Sequence, residues 1–190
     1  IVPLATMAAF KAVAQTLGSM GSSSFVVLSG STSAGGARSG SGNAPTLNVA
    51  DANAIAELDG VDTVAPVHWG SVQMVYGSNN WNAWVQGTTP SYLDARSWPL
   101  AEGASFTDSD VRAATRVALI GRTVAQNLFG DENPVDKTFR IGQAPFTVLG
   151  VLAPKGQNLE GRDQDDLVVM PLTTAQRRVF GTPFQGTVRQ

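Results

Sequence analysis

The sequence predicts an α+β fold of two lobes. A β-α-β-β lobe covers residues 24–88, a mostly-β lobe is inserted over residues 89–183, and a helix over residues 4–17 lies ahead of both. Three observations carry this reading. Between Arg116 and Gly181, short apolar runs such as Val117-Ala-Leu-Ile120, Phe146-Thr-Val-Leu-Gly-Val-Leu152 and Val168-Val-Met170 are bounded by Gly, Pro and Asp, the pattern of strands joined by turns. Upstream, the periodicities run strand, helix, strand, strand, the front of a split βαβ unit. At the far end Thr187-Val-Arg-Gln190 reads as a strand just beginning, a returning segment near Gly186 that completes the first lobe.

Met7, Phe10, Ala14 and Leu17 recur at helical spacing and the pattern stops near Gly18. Ser24-Phe-Val-Val-Leu28 follows as a strand. Ser29–Asn43 is almost wholly Ser, Gly and Ala, too poor in apolar surface to offset its ordering entropy, and is expected to be mobile. Gly30 and Gly35 mimic the glycine spacing of a phosphate-cradling loop. Gly36-Ala37 stands where that loop needs Lys and Ser or Thr, so no nucleotide site is read there. Asn48 suits an N-cap, and the helix it opens runs through Ile55 and Leu58 to Gly60. Val64–Val67 reads as a strand, and Val72–Tyr76 pairs with Trp81–Gln86 across Gly77–Asn80 as a hairpin.

Alternation on that hairpin puts Trp81, Ala83 and Val85 on one apolar face, expected to pack on the helix ending at Leu58. Trp84 falls on the other face, between Asn82 and Gln86. Further on, Thr89 and Pro90 open a short helix leading to Trp98, Asp108 suits the cap of another, and Thr173 that of a last one over Thr174–Phe180. Gly130 and Gly181 close their helices from the C′ position.

The chemistry-bearing residues point away from catalysis. His68 is the only histidine, and no Ser has Gly two residues before and two after, so a nucleophile elbow is absent. With no Cys and one His, a zinc site lacks ligands. Asp163-Gln-Asp165-Asp166 is the best metal candidate, but it lacks the Gly and Glu that complete a calcium loop. We read it as a structural acidic loop whose carboxylates accept backbone N–H groups and an Arg. Asp108 and Asp110 are read as a solvated helix start. No catalytic, cofactor or metal residue is assigned; Trp84, Tyr92 and Trp98 are the candidate partner surface, because aromatics in excess of what a small lobe needs either fill a core or make interface anchors, and alternation decides only Trp84.

Composition narrows the classes further. At 190 residues, 43% hydrophobic and 15% charged, the chain buries a real core and is no disordered tail. A net charge of −2 argues against a nucleic-acid footprint. No run of about 18 apolar residues occurs, and Ile1–Ala5 lacks the basic flank of a signal peptide.

A family resemblance runs from about Ser24 to Gly181. It rests on Gly87-Thr-Thr-Pro-Ser-Tyr-Leu93, Trp98-Pro-Leu100, Val117-Ala-Leu-Ile-Gly121, Asn127-Leu-Phe-Gly130 with Asn133-Pro-Val135, and Phe146–Leu152. Lys155-Gly-Gln157, Asp163-Gln-Asp-Asp166 and Val169-Met-Pro-Leu-Thr-Thr174 complete the set, in the right order. Together they resemble the extracytoplasmic core domain of MacB-type ABC transporter permeases. The resemblance implies Porter-like and Sabre-like lobes, a residue 1–23 stalk continuing a membrane helix, and a non-enzymatic role without cofactor. It implies a periplasmic domain of an inner-membrane protein, with a second permease copy, a membrane-fusion adaptor and an outer-membrane channel as partners, and ATP hydrolysis supplied elsewhere. Alternatives are a soluble periplasmic small-ligand-binding module, the periplasmic domain of a lipoprotein-releasing permease, and a metal-dependent hydrolase built on the Asp loop.

Overall fold

A computed structural model describes residues 26–27, 33–34, 37–38, 47–157 and 161–181. The chain divides into two units, residues 1–48 and 49–190. In the first, β1 (Ser33–Ala34) and β2 (Ala37–Arg38) pair antiparallel inside the Ser/Gly-rich stretch expected to be mobile. Val26 and Val27 belong to neither helix nor strand, although a strand was expected across them. The rest of that strand, the helix of residues 4–17 and the returning strand near Gly186 lie outside the described residues.

The second unit starts with α1 (Val49–Ala56), directly after Asn48 as expected; none of its residues is buried. The expected strand at Val64–Val67 is absent. Pro66 has no N–H for a ladder, and its carbonyl accepts the Thr88 hydroxyl at 2.8 Å. Pairing begins at His68 instead. β3 (His68–Tyr76) and β4 (Asn79–Thr88) form a hairpin in register from Tyr76↔Asn79 to His68↔Gly87. Its loop is two residues, not four, because Asn79 and Asn80 continue the ladder. Gly77 supplies the positive φ, 58°, that a two-residue loop needs at its first position.

The remaining elements are α2 (Ser91–Ala95), β5 (Leu100–Gly103), α3 (Asp108–Ala113), β6 (Val117–Ile120), α4 (Arg122–Phe129), β7 (Thr138–Ile141), β8 (Ala144–Leu152) and β9 (Leu167–Pro171). The short α5 (Leu172–Thr174) runs into a π-helical turn, Ala175–Val179, closed by the Phe180 N–H donating to the Ala175 carbonyl at 2.9 Å. Three caps differ from expectation by a residue or a role. α3 is capped by Thr107, not Asp108, in a reciprocal box with Asp110. Thr89 makes no side-chain cap on α2 and shares a hydrogen bond with Ser91 Oγ at 2.8 Å. Thr173 likewise caps nothing; its hydroxyl donates to the Val111 carbonyl.

Strand order is β5-β8-β6-β9-β4-β3-β7, and β7 pairs again with β8, so six of the seven strands close into a barrel. β4 and β9 run parallel over five pairs, Trp84↔Leu167 to Thr88↔Pro171. The seam between β3 and β7 is only two pairs, Met74↔Ile141 and Val75↔Arg140. Met74, Val85, Ile120, Phe146, Val168 and Met170 fill the interior, and Val124, Leu128 and Phe129 of α4 pack into it. A second cluster lies on the outer face, where Tyr92, Leu93, Trp98 and Phe106 cover Leu119, Leu152 and Val169.

The α+β class therefore holds, while the lobe boundary drawn at Thr88 does not match this sheet. The hairpin assigned to the first lobe is part of the same barrel as the strands that follow it. Its apolar face packs on α4 and the barrel interior, not on the helix ending at Leu58, and Trp81 on that face is half-buried. The cause is β9: all five of its residues are buried, so it needs strands on both edges, and β4 is one of them.

The capping box yields a test. The Thr107 backbone N–H donates to the Asp110 carboxylate at 2.8 Å and holds its pKa below the ordinary value. A folded-state pKa below the unfolded one adds stability at neutral pH that is lost as pH falls through the folded value. Asp110→Asn is expected to be less stable than the parent at about pH 7, and the gap to be smaller at a pH below the ordinary carboxylate value of about 4, in urea titrations. An equal gap at both pH values contradicts the assignment.

Candidate functional site: an aromatic surface and the acidic loop beside it

On the outward face of the hairpin, β3 presents Trp69, Ser71 and Gln73, and β4 presents Asn82, Trp84 and Gln86. The register Ser71↔Trp84 and Trp69↔Gln86 makes the two tryptophans diagonal neighbours. Their rings lie 6.0 Å apart at 39°, and Trp69 and Trp84 are 60% and 49% exposed. Ser71 Oγ donates to Asn82 Oδ1 at 2.7 Å, fixing the polar part of the face. Trp69 was not singled out in the sequence because the strand was started at Val72. Carrying the alternation back from Gly77 through Ser71 puts Trp69 on the Trp84 face.

Tyr92 and Trp98, expected with Trp84 as partner surface, are instead buried in the outer cluster. Trp98 Nε1 donates to the Ala153 carbonyl at 2.7 Å, and Lys155 Nζ sits 4.5 Å above the indole while donating to the Arg96 carbonyl at 2.9 Å. Burial lowers the pKa of that lysine. The two aromatics cover the sheet.

The acidic loop leads into β9 next to Trp84, whose backbone N–H donates to the Asp166 carbonyl at 3.4 Å. Asp165 is 6% exposed, and its two oxygens accept from the N–H groups of Lys155 and Gly156 at 2.8 and 3.0 Å. Asp163 accepts from its own loop, through the Asp165 N–H at 2.9 Å, and from the Thr123 hydroxyl of α4 at 2.6 Å. Asp166 Oδ1 accepts from Trp81 Nε1 at 2.7 Å; burial raises its pKa, and the indole bond pulls the other way. Gly121 gives the loop its room, since a Cβ there would lie 2.1 Å from the Asp165 carbonyl oxygen. Among the described residues no group of His, Cys, Asp or Glu is arranged to hold a metal.

His68 stacks on Phe180 with ring centroids 4.8 Å apart, and burial lowers its pKa. A cleft between α1 and the segments beside it is lined by Val49, Ala52, Ala56, Pro66, Thr89 and Asp108. Neither exposed tryptophan lines it.

Comparison with known proteins decides the family. Residues 4–189 match the family described as the MacB-like periplasmic core domain. The chain belongs to that family.

Relatives include the macrolide export ATP-binding/permease protein MacB of Syntrophobacter fumaroxidans, 42% identical over 90% of this chain and 24% of that protein. The pyoverdine export ATP-binding/permease protein PvdT of Pseudomonas aeruginosa is 41% identical over 70% of this chain and 20% of its own length. Among solved structures, the periplasmic region of MacB from Actinobacillus actinomycetemcomitans matches with a TM-score of 0.64 at 25% identity, over 74% of this chain and 62% of that one. The extracellular domain of the ABC-type transporter YknZ, from Gram-positive bacteria, matches with a TM-score of 0.63 at 25% identity, over 74% and 70%. The chain thus spans a quarter or less of these full-length relatives, and as a MacB-like periplasmic core domain it is the periplasmic part of an ABC-type transporter permease. Among the described residues no helix is long and apolar enough to cross a membrane.

Three substitutions test the geometry. Asp165→Asn leaves one of two buried N–H groups facing an amide NH₂, and is expected to cost ~1–3 kcal/mol in chemical denaturation. Added Ca²⁺ should leave the parent's melting unchanged; a Ca²⁺-dependent shift overturns the hydrogen-bonded reading of the loop. Trp98→Ala should cost ~3–5 kcal/mol as a core truncation, against ~0.5 kcal/mol or less for Trp84→Ala as a surface change. Comparable losses at the two sites would refute the division into covered and open aromatics.

Proposed function

We propose that the Trp69–Trp84 face is where a membrane-fusion adaptor docks on this domain. The barrel then passes ATP-driven movement of the permease to that adaptor, in tripartite export of small molecules through an outer-membrane channel. The observation that carries the reading is the paired exposure of two indoles on consecutive strands of a closed barrel. Indoles held on rigid strands at low entropic cost are the side chains that make interface hot spots. A partner covering them removes apolar surface from water that the isolated domain leaves open.

Family membership supports the transport side. The relatives are named for ATP binding and permease function together, and for macrolide or pyoverdine export. The present chain offers no phosphate-binding motif, since Gly36-Ala37 occupies the decisive positions, and the reading leaves ATP hydrolysis to another part of the transporter. A second permease copy completes the pump.

The experiment is a binding measurement between the full-length permease and its adaptor. Trp69→Ala with Trp84→Ala is expected to weaken binding on the order of tenfold or more, as loss of a hot spot does, with the melting temperature of the domain unchanged. Undiminished affinity in the double variant rejects this face as the docking site.

A further inference from the structure

β3 opens at His68, and Phe180 ends the helical turn that follows β9; these two residues lie against each other with ring centroids 4.8 Å apart at 46°. Two glycines make the contact possible. A Cβ on Gly70 would come within 2.4 Å of Phe180 Cε1, so the ring occupies the space where a β3 side chain would stand. A Cβ on Gly87 would lie 2.2 Å from the Cβ of Ala175, at the other end of the same turn. Gly87 is the cross-strand partner of His68, so both seats lie at one end of the hairpin. Neither glycine has a positive φ. Each stands in a strand interior, where glycine weakens a sheet, and what each contributes is the missing side chain.

The turn itself is shaped to the seats. Its hydrogen bond closes five residues back, from the Phe180 N–H to the Ala175 carbonyl, wider than an α-helical turn. Ala175 is fully buried against β4 while Phe180 reaches β3. One turn therefore spans both strands of the hairpin and ties the segment that follows β9 to the first residue of β3.

We propose that this turn is a clasp. It joins the exit of the barrel to its entrance, so that force arriving through either flanking segment moves the barrel as one body. Without the clasp, the barrel would hang on two independent strands of chain, and a pull on one would peel the end of β3 before moving the rest. The proposal rests on the force-transmission reading above, and its test separates the two.

In the domain, Phe180→Ala is expected to speed amide exchange of residues 68–72 and 175–180 on the order of tenfold or more, with exchange in β6 and β8 unchanged. Unchanged exchange at the clasp, or equal acceleration in every strand, overturns the proposal. The full-length transporter supplies the second arm. Phe180→Ala should lower export while adaptor affinity stays at the parent level, and a His68→Cys/Phe180→Cys disulfide should restore export. Undiminished export in Phe180→Ala, or failure of the formed disulfide to restore it, overturns the clasp and leaves adaptor docking standing. Loss of docking alone is read separately from the tryptophan variants.

Discussion

β9 is short, five residues from Leu167 to Pro171, and every one of them is buried. A strand apolar on both faces can exist in water only if each face is covered and each edge is paired. β6 takes one edge antiparallel and β4 takes the other in parallel. On the faces, Val168 and Met170 point into the barrel and Leu167 and Val169 into the outer cluster. The rest of the unit answers those four demands. The hairpin must lie beside β9 to supply its parallel neighbour, and the segment from Tyr92 to Phe106 must fold back over the outside. Because β4 is held in place by β9, its outward tryptophan is displayed from a fixed backbone.

The acidic loop belongs to the same constraint. β6 lies between β8 and β9 in the sheet, so the chain leaving β8 has to cross it before β9 begins. Asp165 holds that crossing by accepting the amides of Lys155 and Gly156, and Asp166 ties its last residue to Trp81 on β4. Burying a carboxylate costs free energy unless its oxygens find donors, and both Asp165 oxygens find them in backbone that is itself fixed. The cluster that looked most like a metal site is built into the joint between the two parallel strands.

Local signals were legible in the sequence wherever one element decided them. The hairpin, α4 with Gly130 behind it, the buried run of β9 and the solvent side of Trp84 all follow from alternation, helical spacing or a single glycine. What failed depended on partners far along the chain. Nothing in Tyr92 or Trp98 tells that the outer faces of β6, β8 and β9 need a cover, so their size suggested a partner surface. The pairing of β4 with β9 joins positions about eighty residues apart in register, and no periodicity reports that; assigning the hairpin to the first lobe was the result. Trp69 was missed for a smaller reason, the placement of the strand start four residues late. Val64–Val67 was overcalled because three of its residues suit a strand and the fourth, Pro66, does not donate.

A barrel that includes the hairpin has to fail without it, and that gives the most direct measurement. Two fragments, residues 57–181 and residues 89–181, would be compared by circular dichroism and urea denaturation. The longer one keeps β3 and β4; the shorter one starts where the two-lobe division would begin a self-sufficient lobe. The account predicts one cooperative transition for the longer fragment and none for the shorter, because β9 and β7 each lose a neighbour and the interior loses Met74 and Val85. A cooperative transition in the fragment of residues 89–181, with native-like β signal, would contradict it.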